Sequence, residues 1–270
     1  MIAKPTPLPP AATAGDPDFM LSLARGLSVL RAFEHRPALT TSQAAQLTGL
    51  SRATVRRCLH TLEKLGYVAP RGNAFVLRPA LLTLARAYLT GTSLAEAAQP
   101  VLQDVRDRLA ESCSLGVLDG DEVVYLARAE THRIMSIALH VGSRVPAYCT
   151  SMGRVLLAHL PPAQLDAYLR GAPFPRRTPH TRATQAELRR VLATVRRRGY
   201  ALVDQELELG LRSIAVPVRD AAGEVVGAMN VGAPAARISG REMAGRVRRE
   251  LDAGARELSR AAYGTDAVTR

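Results

Sequence analysis

The stretch Leu39–Leu62, LTTSQAAQLTGLSRATVRRCLHTL, decides how the first third of the chain is read. Ser42–Leu47 has the pattern of a short helix, with Thr41 as its candidate N-cap. Gly49 supplies a tight turn. Ser51 is placed to cap a longer helix, Arg52–Leu65, which Gly66 ends. Two helices joined this tightly cross closely. The crossing needs a small residue in the first helix, a turn residue four positions later, and an apolar residue in the second helix to pack back. Ala45, Gly49 and Val55 meet these demands at offsets of 4 and 10, and Leu47, Leu50, Cys58, Leu59 and Leu62 complete the core face. The opposite face of the second helix carries Ser51, Arg52, Thr54, Arg56, Arg57 and His60.

That face suits a helix-turn-helix whose second helix lies in the major groove of double-stranded DNA. Hydroxyls and guanidiniums reach base edges there, and arginine can bind guanine through two hydrogen bonds. Arg56 and Arg57 could equally grip phosphates, which positions a protein without reading sequence. Thr41, Ser42, Gln43 and Ala53 join the candidate DNA-facing set. A hairpin of Tyr67–Ala69 and Ala74–Leu77 around Pro70-Arg71-Gly72-Asn73 would form the wing, with Arg71 and Arg78 against sugar-phosphate or the minor groove. A helical hairpin packed for structural reasons, with merely solvated arginines, has the same spacing. The basic face, the wing and the scarcity of acids weigh against it: between Phe19 and Pro79 only Glu34 and Glu63 are acidic.

Working outward, Leu21–Phe33 reads as a helix with Leu23, Leu27, Leu30 and Phe33 near one face. Met1–Asp18, rich in Pro and Ala, reads as a disordered tail without the apolar core of a signal peptide. The expected domains are the tail at 1–18, a winged helix-turn-helix at 19–79, a linker helix at 80–92 and a larger domain at 93–264. In the last, Leu94–Leu109 reads as a helix. Cys113–Leu118 and Glu122–Ala129 flank Asp119-Gly120-Asp121, a hairpin signal. Ile134–Val141, Tyr200–Asp204, Arg212–Arg219 and Val225–Val231 read as strands; Ser151–Leu160, Pro162–Leu169, Gln185–Arg198 and Arg241–Ala262 read as helices. The expected class is α+β with a largely antiparallel sheet.

Bulk properties agree. The 270 residues carry a net charge of +12. The first 79 residues hold 10 basic and 4 acidic side chains, a surplus of +6, and the remaining 191 hold the other +6. Such a surplus attracts polyanions, nucleic acid first and acidic membrane second. Arginine outnumbers lysine 34 to 2, so part of the bias is compositional. No apolar run approaches the roughly 18 residues of a membrane span. Three scattered cysteines give neither a disulfide framework nor a metal knuckle, and suggest a reducing cytoplasm. Catalytic motifs are missing: there is no H-E-x-x-H and no glycine-rich phosphate loop. Cys149-Thr150-Ser151-Met152-Gly153 is like a nucleophile elbow, which leaves a hydrolase using Ser151 as a remote alternative. However, Cys149 replaces the first glycine and Pro146 interrupts the approaching strand. Asp204, Glu206 and Glu208 alternate without a placed histidine. No catalytic residue, metal or cofactor is expected.

The runs SLARGLSVLRAF and LTTSQAAQLTGLSRATVRRCLHTLEKLGYV resemble the IclR-type bacterial transcriptional regulators. VGSRVPAYCTSMGRVLLA and GYALVDQELELGLRSIAVPVRDAAGEVVGAMNV resemble that family's effector domain, so the likeness covers roughly Leu21–Tyr263. It implies a winged helix-turn-helix joined by a linker helix to an effector domain with a curved antiparallel sheet flanked by helices. It also implies homodimers, or dimers of dimers, on palindromic operators. The wording SRVPAYCTSMGRVLLA is most similar to the branch controlling protocatechuate, 4-hydroxybenzoate and β-ketoadipate catabolism. The effector would be an aromatic acid or a product of its catabolism, or alternatively a small keto acid such as glyoxylate or pyruvate. The resemblance places the effector pocket at Arg133, Ile134, Ile137, Leu139, Ser151, Met152, Asp204, Leu211, Ser213 and Asn230. The helix start at Ser151 is a natural anion site, because free backbone N–H groups meet there at the positive dipole end.

Overall fold

The computed structural model describes residues 16–90, 93–131, 139–171 and 173–264. The chain divides into two compact units, one up to Tyr88 and one from Leu89 onward.

The first unit begins with α1 (Leu21–Arg31), which tightens into a 3₁₀ turn at Ala32–His35. Then come β1 (Ala38–Leu39), α2 (Thr41–Thr48), α3 (Arg52–Lys64), β2 (Val68–Arg71), β3 (Ala74–Leu77) and α4 (Ala80–Thr90). The strands form a small antiparallel sheet in the order β1-β3-β2. Val29, Phe33, Leu39, Ala44, Val55, Leu59, Leu62 and Val68 make one core. Gly49 adopts φ 70°, the left-handed turn expected of it.

Several details differ from the sequence reading. The cap of α2 is Thr40, not Thr41: Thr40 accepts from the Gln43 amide while Gln43 Oε1 accepts from the Thr40 amide, a reciprocal box only that spacing allows. The fully buried small residue of α2 is Ala44, with Ala45 half-buried. Helix α1 carries two apolar stripes. The core takes Val29, Ala32 and Phe33, and leaves Leu23 and Leu27 more than half exposed. Pro70 and Arg71 belong to β2, opposite Phe75 and Ala74, so the turn is the two residues Gly72-Asn73. Strand β1, at only two residues, is too short to give a periodic signal.

The second unit contains α5 (Ser93–Leu109), β4 (Ser112–Asp119), β5 (Glu122–Ala129), β6 (Arg144–Pro146), α6 (Ser151–His159), α7 (Pro162–Gly171), α8 (Gln185–Arg198), β7 (Ala201–Asp204), β8 (Leu211–Arg219) and β9 (Val225–Pro234). It ends with α9 (Gly240–Glu242), a π-helical turn at Met243–Val247, and α10 (Arg248–Tyr263). The six strands pair antiparallel throughout, in the order β6-β5-β4-β9-β8-β7. The strand expected over Ile134–Val141 lies outside the described residues up to 138, and Leu139–Val141 are not in a strand.

Alternation along the strands separates the faces of this sheet. Cys113, Leu115, Ile214, Val216, Met229 and Val231 face α5 and α10 in the larger core. Tyr125, Ala215 and Ala228 face α6, where Met152, Val155 and Leu156 pack against them. Helix α6 starts hard against the preceding backbone. A Cβ on Gly153 would stand 2.1 Å from the Ala147 carbonyl oxygen, so only glycine fits.

Candidate functional sites

In the first unit, α3 buries Val55, Leu59 and Leu62 and turns Arg52, Ala53, Arg56, Arg57 and His60 outward. Ser51 caps the helix by accepting from the Thr54 amide, and its hydroxyl also meets the Thr54 hydroxyl at 3.0 Å. Arg71 and Arg78 are exposed on the hairpin and just beyond it, as is Ser42 at the start of α2, where Thr41 and Gln43 are half-buried. Gln43 is partly occupied, since its amide oxygen completes the α2 cap. Among the described residues, no ion pair engages Arg52, Arg56, Arg57, Arg71 or Arg78. Unpaired guanidiniums on one helix face can meet a polyanion without first breaking a protein contact.

In the second unit a small cavity lies between the α6 side of the sheet and the start of α6. Its open volume is about 40 Å³, and Leu139, Ser151, Met152, Leu211, Ser213 and Asn230 all line it. Asp204 does not. It follows Val203, which faces the cavity, so strand alternation turns it to the other side, where it accepts from Arg212 at 2.8 Å. Arg133, Ile134 and Ile137 lie outside the described residues.

The cavity floor is built by register. Arg128 of β5 stands opposite Ser114 of β4, and Ser114 opposite Asn230 of β9. Ser112 and Ser213 flank Gly232 in the neighbouring row. These two polar rows interrupt a sheet face that Val123, Tyr125 and Ala228 make apolar. Helix α6 starts at Ser151, where the sequence reading placed it. Thr150 caps α6 by accepting from the Gly153 amide at 3.3 Å, and Ser151 is the first helical residue. The Ser151 hydroxyl and the Asn230 side-chain oxygen are buried and have no hydrogen-bond partner among the described residues. Unmatched buried polar atoms are rare in native proteins, and each costs about 1–3 kcal/mol.

Arg128 was not singled out by sequence. It donates to Ser114 Oγ at 2.9 Å and to Glu130 at 2.9 Å, with its side chain 10% exposed. Tyr125 and Cys149 also line the cavity; burial pushes the Tyr125 phenol up to about 12 and the Cys149 thiol up to about 11, so both stay protonated near neutrality. Ser151 has no base within hydrogen-bonding reach among the described residues, which leaves it unlike a hydrolytic nucleophile.

A second, larger groove of about 690 Å³ runs beside α8, past Arg182, Arg190, Arg198 and Asp204. It opens widely to solvent. The buried charges at its base are already satisfied: Arg154 donates to both Glu206 oxygens at 2.6 and 2.5 Å. Among the described residues lining it, no buried side-chain atom lacks a partner as Ser151 and Asn230 do. Among the described residues, no three potential metal ligands cluster, and no helix is long and apolar enough to cross a membrane.

Comparison with known proteins follows the same division. The IclR helix-turn-helix domain model matches residues 22–72, and the bacterial transcriptional regulator IclR C-terminal model matches residues 86–260. The Pca regulon regulatory protein of Pseudomonas putida is 46% identical over 255 residues, covering 94% of this chain and 88% of that protein. A solved transcriptional regulator from Rhodococcus sp. RHA1 superposes with a TM-score of 0.78 at 44% identity, over 90% of this chain and 98% of its own. An IclR homologue from Microbacterium hydrocarbonoxydans, solved in complex with 4-hydroxybenzoate, superposes with a TM-score of 0.79 at 28% identity, over 90% of this chain and all of its own, 100%. With both halves matched in order, and relatives alike across nearly the whole chain, this protein belongs to the IclR family of bacterial transcriptional regulators.

Proposed function

We propose that this regulator senses a small aromatic hydroxy acid in the cavity beside α6 and couples it to the control of genes for aromatic catabolism. The observation that carries the reading is the pair of buried polar atoms, Ser151 Oγ and Asn230 Oδ1, unmatched among the described residues and facing a hollow edged by the Arg128 guanidinium. A ligand with a carboxylate and a hydroxyl supplies what these groups lack. The relatives' names point the same way, to a pca regulon and to 4-hydroxybenzoate.

The cavity's open volume of about 40 Å³ holds water but not a ring; a cavity of roughly 150 Å³ is known to take benzene. An aromatic effector therefore displaces walls such as Met152, Leu207 or Leu211 as it binds. A ligand that prefers one arrangement of its walls shifts the population of that arrangement, which regulation requires. In this reading α3 lies in the major groove, with Arg52, Arg56 and Arg57 on DNA, and Arg71 and Arg78 on the backbone beside the wing. The exposed Met20, Leu21, Leu23 and Leu27 on and beside α1 support a homodimer on a palindromic operator, working in the cytoplasm.

The test is thermal stability of the full-length protein against protocatechuate, 4-hydroxybenzoate, β-ketoadipate, cis,cis-muconate, glyoxylate and pyruvate. A ligand at 100 times its Kd stabilises the native state by about 2.7 kcal/mol. For a unit of this size that raises Tm by roughly 5–10 °C. A response to an aromatic acid that Ser151→Ala weakens supports the reading. A response only to glyoxylate or pyruvate, or to none of the six, refutes it.

A further inference from the structure

Resting on that reading, we infer that Arg128 is the residue that makes the cavity demand a carboxylate, and that Asn230 reads a hydroxyl at the far end of the same ligand. Several features support this. Among the described residues lining the cavity, Arg128 is the one cation and none is an acid. Its side chain is nine-tenths buried. Nε is held by Glu130 and one terminal nitrogen by Ser114, so the guanidinium is fixed with its remaining nitrogen unbonded among the described residues. A fixed fork with a free donor suits a carboxylate, because arginine's planar geometry matches it.

The start of α6 adds to the positive field. Thr150 takes the Gly153 amide, and among the described residues no acceptor meets the Ser151 and Met152 amides that precede it. These donors and the helix dipole favour an anion. The buried, unmatched Ser151 hydroxyl beside them is an independent sign that the place awaits a partner.

The register fixes the ligand's length. Arg128, Ser114 and Asn230 occupy one row on three successive strands. Strands lie about 4.8 Å apart, so the acid-binding and hydroxyl-binding positions are separated by roughly 5–10 Å. Two- and three-carbon keto acids are too short to bridge them. A para-hydroxylated aromatic acid, with its polar groups at opposite ends of a ring, spans that gap. The otherwise unmatched Asn230 oxygen accepts the phenolic O–H, while a carboxylate oxygen takes the free Arg128 donor.

Calorimetric titration of the full-length protein tests this with matched ligands: 4-hydroxybenzoate, its neutral isostere 4-hydroxybenzamide, and benzoate. The wild type is expected to prefer the acid over the amide by roughly ten- to a hundredfold, the scale of a charge-assisted hydrogen bond. Arg128→Gln should bring that ratio close to one while leaving the amide's affinity within about threefold of its starting value. Arg128→Lys should keep part of the preference. Asn230→Leu should abolish discrimination between 4-hydroxybenzoate and benzoate. If Arg128→Gln weakens acid and amide equally, or leaves the ratio intact, the carboxylate role is overturned. If the wild type binds only a non-aromatic acid of the stability panel, the aromatic reading fails by itself. The Arg128 ratio is then measured with that acid and its amide, where a preserved preference overturns the anchor role too. If the wild type binds no acid, both fall together.

Discussion

Glu206→Gln should be among the most damaging single substitutions in the second unit. The carboxylate is buried, 7% exposed, and faces an Arg154 side chain only 3% exposed. Arg154 grips both oxygens and also donates Nε to the Tyr148 carbonyl at 3.1 Å, while one Glu206 oxygen additionally takes the Arg182 amide at 2.8 Å. Replacing the acid by its amide leaves a guanidinium buried without a counter-charge, which costs about 3–5 kcal/mol. For a unit of this size that lowers Tm by about 6–20 °C. Removing both charges with Arg154→Met and Glu206→Leu should recover most of the loss, because a buried pair is worth little more than well-packed apolar groups. Glu206→Gln should also weaken effector binding: Glu206 anchors the loop that carries Leu207 and leads into Leu211 at the start of β8, both of which wall the cavity. The assay is thermal and urea unfolding of the full chain, with and without effector. A Tm loss under about 2 °C for Glu206→Gln would mean less than 1 kcal/mol. That outcome would refute the reasoning, since it requires Arg154 to find water in the folded protein.

Other substitutions probe other joints of the structure. Gly153→Ala forces a methyl against the Ala147 backbone and should cost about 1–3 kcal/mol or more, read by urea midpoint; full stability would show that α6 does not start where described. Thr40→Ala removes the α2 cap and should destabilise the first unit by about 1 kcal/mol, checked by amide exchange in that unit. Arg56→Ala and Arg57→Ala should each reduce the salt slope of operator binding by about 1 if they hold phosphates, while loss of preference at one base pair would mark base readout. Burial holds the His159 pKa below its ordinary value, and Arg219 and Arg196 add to the effect. The unfolded chain then takes up a proton the folded chain refuses, so His159's contribution is present above pH about 6.5 and declines as pH falls. His159→Gln should flatten the stability slope between pH about 7.5 and 5.5, measured by urea titration.

Much of this was legible in the residues, for physical reasons that also explain what was not. The helix-turn-helix announces itself because the spacing of Ala45, Gly49 and Val55 coincides with a basic outer face and a following hairpin, and the spacing alone would also suit a structural helical hairpin. Helix α8 was delimited correctly because Thr184 and Glu187 form a capping box at one end and Gly199 turns left-handed at the other. Arg128 was hidden by a single irregularity. Tyr125 pairs with Gly116 and Ala127 with Leu115, so Leu126 is an extra residue in β5. Strict alternation from Tyr125 would turn Arg128 away from α6; the bulge restores it to the cavity face. Asp204 lies off the cavity for the opposite reason: regular alternation beside Val203 turns it to the other face. The two stripes of α1 could not be ranked from sequence, because both are apolar and only the completed core shows which one it covers.

The bulge at Leu126 and the register it sets have an evolutionary consequence. The positions on the cavity side of the sheet, 112, 114, 128, 213 and 230, alternate with those that hold the sheet to α5 and α10. Selection can therefore exchange side chains on one face while the other keeps the protein folded. Descendants of such a scaffold could acquire new inducers by a handful of point changes spread over distant strands, none of which need pass through an unstable ancestor.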